Sequence, residues 1–180
     1  MDTKPTHKIR AIFLDSGDTL VDEATEIKDQ NAVTQKASLI PGAAETLRGL
    51  KTLGYPLALV ADGPVGTFTN VLGHYGLFEL FDALAISGQV GVEKPDPRMF
   101  SCALEQLQIS QADYGRVLMV GNNLERDIKG ANQLGLISVW LDWAPRRSNI
   151  PADESERPGY IIKNPLDLLN LVADLERSLP

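Results

Sequence analysis

The chain has 180 residues, enough for one domain with a sizeable hydrophobic core. Apolar residues make up 43% and charged residues 23%, the balance of a globular protein, and the net charge of -7 argues against nucleic-acid or anionic-membrane partners. No apolar run approaches the roughly 20 residues of a membrane span. The polar start, Met1 to Lys8, lacks the apolar stretch of a signal peptide. The single cysteine, Cys102, excludes an internal disulfide, so a cytoplasmic location is the expectation.

Strand-like and helical patterns alternate along the chain. Ile9 to Leu14 reads as a strand that ends on Asp15-Ser16-Gly17-Asp18. Val21 to Ser38 is polar and weakly periodic and reads as a flap or short helix beside that strand's exit. Pro41 to Leu53 reads as a helix, with Leu47, Leu50 and Leu53 on one face and Gly54 as its stop. Pro56 to Ala61 (strand), Val65 to Tyr75 (helix) and Ala83 to Ser87 (strand) follow. Lys94-Pro95-Asp96-Pro97 leads into a helix over Arg98 to Leu107. Then come a strand, Arg116 to Val120, a helix, Leu124 to Leu134, and a strand, Leu136 to Leu141. The loop Asp142 to Gly159 is rich in Pro, Arg and Glu, and a loop of that length is often functional. Tyr160 to Ile162 reads as a short strand and Leu166 to Leu175 as a closing helix.

Strands that alternate with helices and are apolar without alternation predict a doubly wound, mostly parallel α/β sheet buried on both faces. Residues 1-180 read as one such domain. In these folds ligands bind at the carboxyl ends of the strands, which singles out Asp15.

Four segments then resemble the haloacid dehalogenase (HAD) superfamily. They are Leu14 to Leu20, Leu59-Val60-Ala61-Asp62-Gly63, Gly91 to Pro97 with Lys94, and Val120-Gly121-Asn122-Asn123-Leu124-Glu125-Arg126-Asp127. Four such motifs in order, three of them at strand ends, are far more specific than any one alone. The resemblance implies a Rossmann-like core and a Mg²⁺-assisted attack by an aspartate on a phosphorylated substrate. It assigns Asp15 as nucleophile and Lys94 as its catalytic partner and a phosphate neutraliser. Ala61, Asp62, Gly63 and Lys94 would face the substrate. Asp15, the Gly17 carbonyl, Asn122 and Asp127 would hold the metal.

Three positions depart from the family pattern. Gly17 stands where a leaving-group acid is usual, Ala61 where a phosphate-binding hydroxyl is usual, and Asn122 where a metal-binding Asp is usual. Lost acid help typically costs about 10²–10⁴ in rate and a lost oxyanion donor roughly 10²–10³. Mg²⁺ binding is expected to be weak because Asn122 supplies only an amide oxygen. Asp18 and Asp62 lie beside two of the gaps. Either they substitute, or Asp18 caps a turn and Asp62 opens the next helix, the commoner behaviour of Asp. Asn123 is expected to cap the following helix, and Cys102 to pack in the core. His7 and His74 have no metal-like spacing. Trp140, Trp143, Arg146 and Arg147 cluster near the exit of a late strand: either they bind a phosphate or a flat substrate group, or they are packing plus a solvated basic loop, the commoner case.

The segments between Leu20 and Pro41, and between Asp62 and Lys94, leave no room for a helical cap domain. A capless site is open, so a bulky or macromolecular substrate, a partner or a homo-oligomer would have to exclude water. Three readings stand: a capless phosphohydrolase favouring good leaving groups, a weak or inactive HAD-fold binding module, and a receiver-like phospho-accepting domain.

Overall fold

A computed structural model describes residues 7–144 and 146–180. Part of the polar start, and Pro145 within the long loop, lie outside the described residues. Six strands form a parallel sheet: β1 (Ala11–Leu14), β4 (Leu57–Ala61), β5 (Ala83–Ile86), β6 (Val117–Gly121), β7 (Ile137–Leu141) and β8 (Tyr160–Ile162). Their spatial order is β5-β4-β1-β6-β7-β8. The chain winds outward from β1 to β5, then returns to the other side of β1. The order therefore reverses beside β1, which is where a doubly wound sheet opens a crevice at its carboxyl edge.

Side-chain alternation divides the interior into two layers. Ile12 and Leu14 face one core with Leu57, Leu59, Leu118 and Val120. That core is covered by α1 (Ala43–Thr52), α2 (Val65–His74) and α6 (Asp167–Ser178), through Leu47, Leu50, Phe68, Leu72, Leu168 and Val172. Ala11 and Phe13 face the opposite core with Ala58, Val60, Val117 and Met119. There α4 (Pro97–Gln106) and α5 (Lys129–Leu134) supply Met99, Phe100, Leu104 and Ala131. A fully buried Leu or Phe contributes about 1.5–3 kcal/mol, so two such layers hold the sheet's carboxyl edge firmly. A short helix, α3 (Ser87–Val90), follows β5. Asp96 caps α4 by accepting the Arg98 N–H at 3.0 Å, with Pro97 in the first turn. No helix of the described residues is long and apolar enough to cross a membrane.

The flap is a hairpin, not a helix. β2 (Val21–Lys28) and β3 (Thr34–Leu39) pair antiparallel, with register shifts between Asp22 and Lys28. Those shifts break the period-2 signal, which is why the segment reads as weakly periodic. Asp29 closes the turn by accepting the N–H groups of Asn31 and Val33. The hairpin docks on α2: the Thr34 N–H donates to Thr67 Oγ1 at 3.0 Å, and the Tyr75 hydroxyl to the Ala37 carbonyl at 3.0 Å. No cap domain interrupts the described fold. The helix predicted over Leu124 to Leu134 opens with a single π-helical turn, Leu124–Ile128, before α5. Single π turns are frequent at functional sites, and this one carries a buried acidic side chain. Here the side chain is Asp127.

Candidate active site

Register aligns the carboxyl ends of the central strands, with Leu14 opposite both Leu59 and Val120. Asp15, Asp62 and Asn122 therefore emerge at one edge. Lys94 reaches under them from the loop before α4 and is only 4% exposed. Its Nζ donates to Asp15 Oδ1 at 2.8 Å, to Asp127 Oδ1 at 2.6 Å and to the Val60 carbonyl at 2.8 Å. All three ammonium protons are engaged. Burial alone would lower the Lys94 pKa, but Asp127, Asp15 and Asp62 outweigh it and the ammonium is held charged.

Asp127 is fully buried. It lies where a side chain on residue 121 would begin, so Gly121 is what makes room for it. Its second oxygen accepts the Asn123 N–H at 3.0 Å. Burial, with Asp15 nearby, pushes its pKa up to about 7 against the pull of Lys94. Asn123 caps the π turn as expected, its Oδ1 accepting from the N–H groups of Glu125 and Arg126.

Asp62 does not open α2, whose capping position is Pro64. It accepts the Lys94 N–H at 3.0 Å and the Arg126 guanidinium at 3.1 Å, and so ties the lysine loop to the π turn. Ala61 is buried at 1% exposure and offers only a methyl group. The Gly63 N–H is already bonded to Ser87 Oγ at 2.8 Å. Of the three second-motif positions, only Asp62 borders the cavity beside Asp15.

That cavity, about 80 Å³, is lined by Asp15, Gly17, Glu23, Asp62, Lys94, Asn122, Asn123, Arg126, Asp127 and Arg147. Asp15 Oδ1 is held by Lys94, while Oδ2 accepts no hydrogen bond among the described residues. Asn122 donates nothing from its buried Nδ2, although its backbone carbonyl accepts the Trp140 Nε1–H at 2.9 Å. The donors around the cavity are all oxygens, the kind a hard dication takes. Both Asp127 oxygens already carry hydrogen bonds. Among the described residues, no three His, Cys, Asp or Glu side chains are grouped as a metal site. Asp15, Gly17 and Asn122 border the cavity with oxygens of the kind a dication takes, a set of low charge.

Asp18 does not face this cavity. It is fully buried in a left-handed turn (φ 50°). It accepts the Glu23 N–H at 3.1 Å and the Arg146 Nε at 2.8 Å. Arg146 also reaches Asp22 at 2.9 Å, and Arg147 lies 3.5 Å from Glu23 Oε2. The basic loop is therefore not merely solvated: its two arginines fasten it to the hairpin. Trp140 likewise does more than pack, through its bond to Asn122. Cys102 packs against the second core, and the His7 ring bonds the Leu53 carbonyl.

Glu23 also borders the cavity, a placement that sequence reasoning missed. Its carboxyl lies over Gly17. Burial, with Asp18 and Asp15 nearby, raises its pKa against the pull of Arg147. No motif spacing marks it. The one available signal was a glycine facing an acidic strand.

The haloacid dehalogenase-like hydrolase family model matches residues 4–135, and the chain belongs to that family. It is 29% identical over 138 residues to a glyceraldehyde 3-phosphate phosphatase of Methanopyrus kandleri, covering 77% of this chain and 58% of the relative. It is 32% identical over 149 residues to a ribulose-1,5-bisphosphate 5-phosphatase of Halopiger xanaduensis, covering 82% of this chain and 58% of that protein. The chain thus spans little more than half the length of these curated relatives. A HAD phosphatase from Thermococcus onnurineus shares the fold with a TM-score of 0.72 at 19% identity, over 91% of this chain and 97% of that one.

Proposed function

We propose that the chain is a phosphohydrolase that acts through Asp15 on a small phosphorylated molecule. The carrying observation is the buried Lys94 ammonium bonded to both Asp15 and Asp127. A surface ion pair needs no such arrangement. Here one ammonium orients the nucleophile by Oδ1 and leaves Oδ2 able to attack phosphorus in line with the leaving group. The same cation lowers the local charge that would repel a phosphate. Asp127, sequestered by Asn123 and the π turn, positions Lys94. Asp15, the Gly17 carbonyl and Asn122 would hold Mg²⁺, which when bound neutralises phosphoryl oxygens. Arg126 and Arg147 border the cavity and supply positive charge where Ala61 lacks a hydroxyl.

The two curated relatives bear the names of phosphatases of sugar-type phosphates, which supports a phosphorylated small substrate. A second cavity of about 270 Å³ lies under the hairpin. It shares Gly17, Glu23, Asp62 and Arg147 with the first, and so suits the part of the substrate that leaves. Phosphate release from an aryl phosphate should be measurable with Mg²⁺ present. Asp15→Asn should reduce it by at least about 10³-fold, because an amide is a poor nucleophile. Undiminished release by that variant would refute the reading and favour a binding module.

A further inference from the structure

A leaving alkoxide needs a proton, and Gly17 has no side chain to give one. We propose that Glu23, reaching over from the hairpin, is the proton donor of this site. The proposal rests on the phosphohydrolase reading above.

Three observations carry it. First, the space a side chain on Gly17 would enter is filled by Glu23. A Cβ built there would meet the Glu23 carboxyl carbon at 2.8 Å and Cγ at 3.0 Å, and would run into Oε1. The glycine and the glutamate are complementary: one vacates what the other fills. Second, Glu23 borders both the small cavity beside Asp15 and the larger one under the hairpin. A group that protonates the bond being broken must lie at the boundary between phosphoryl seat and leaving-group seat.

Third, the other carboxyls around the small cavity are committed. Asp127 accepts from Lys94 and Asn123, and Asp62 from Lys94 and Arg126. Asp15 is the nucleophile. Asp18 faces away, bonded to Arg146 and the Glu23 N–H. The Glu23 carboxyl accepts no hydrogen bond among the described residues, and its nearest cation, Arg147, is 3.5 Å from Oε2. Oε1 is the atom over Gly17.

The chemistry balances without any co-reactant. Asp15 Oδ2 forms a bond to phosphorus, the bond from phosphorus to the leaving oxygen breaks, and that oxygen takes its electron pair and the Glu23 proton. Alcohol, aspartyl phosphate and a Glu23 carboxylate result. The carboxylate then takes a proton from water as the water oxygen attacks phosphorus. The Asp15–phosphorus bond breaks, releasing phosphate and restoring both side chains.

The test compares alkyl and aryl phosphates. Proton donation matters most for the strongly basic alkoxide, so Glu23→Gln should cost about 10²–10⁴ on alkyl substrates and at least roughly tenfold less on aryl ones. Glu23→Ala combined with Gly17→Asp should regain alkyl turnover, whereas Gly17→Asp alone should lower it because the seat is occupied. Equal losses on both substrates, or none, in a folded variant would overturn the assignment while leaving the phosphohydrolase reading intact. A wild-type protein without aryl phosphatase activity would overturn both.

Discussion

The two ends of β1 carry carboxylates in opposite circumstances. At the amino end Glu176 of α6 is saturated with donors. It accepts the Lys8 N–H at 2.9 Å, the Ile9 N–H at 3.1 Å and the Tyr55 hydroxyl at 3.1 Å. The His7 ring is 3.6 Å away and lies 4.1 Å from the Tyr55 ring. Burial works against its charge, but these donors prevail and its pKa is lowered. At the carboxyl end Asp15, Asp127 and Asp62 crowd around one buried ammonium, and Glu23 borders the same cavity. Burial and mutual repulsion raise the pKa values of Asp127 and Glu23. Donors outnumber the carboxylate at the first end, and carboxylates outnumber the buried cation at the second. The first arrangement fastens a helix to a strand. The second leaves carboxylate oxygens without matching donors, the pattern that perturbed groups at functional sites share.

The largest effect expected from this contrast is on Lys94. Lys94→Met leaves Asp127 buried with only the Asn123 N–H, and should cost about 3–5 kcal/mol in urea unfolding near pH 8. A cost below about 1 kcal/mol would mean that the ammonium does not balance this cluster.

Next in size is Asn122→Asp, which adds a carboxylate to the crowded end. Mg²⁺ affinity by calorimetric titration should rise roughly tenfold, about 1.4 kcal/mol, since charge count sets affinity for a hard cation. Without metal the variant should melt lower than wild type, because the added charge meets Asp15. Unchanged affinity would remove Asn122 from the metal set.

The smallest effect is at the amino end. Glu176→Gln should cost about 1 kcal/mol at neutral pH, by weakening the hydrogen bonds donated by two backbone N–H groups and one hydroxyl. The signs of the pH dependence separate the two ends. The folded pKa of Glu176 lies below its ordinary value of 4.5, so its stabilisation is present above pH 4.5 and lost as pH falls below it. The folded pKa of Asp127 is raised from 3.8 to about 7, so its contribution is present below pH 3.8 and lost as pH rises through 7. Melting temperature against pH should therefore lose its acid limb in Glu176→Gln and keep its slope between pH 4 and 7. A flattened upper window in that variant would break the comparison.

Much of the molecule was legible in the chain itself. The apolar runs ending at Leu14, Ala61, Val120 and Leu141 define strands buried on both faces, and alternation with helices leaves parallel pairing as the consistent arrangement. Asp15 stood out by its place at a strand end, and the family resemblance singled out Lys94 and Asp127, which the structure brings to Asp15. Asn123 was readable as a cap because capping follows from local rules. What only the tertiary structure decided lies in contacts between segments far apart in sequence. The hairpin was hidden because its bulges erase the period-2 pattern. The use of Asp62 as a clamp for Lys94 and Arg126, and of Asp18 as the anchor for Arg146, depends on loops brought together by the sheet order. Above all, a glycine and an acidic strand in the sequence do not report that Glu23 is the residue that fills the space over Gly17. A missing side chain and its replacement belong to different elements, and only the packing of the hairpin against the end of β1 makes them neighbours.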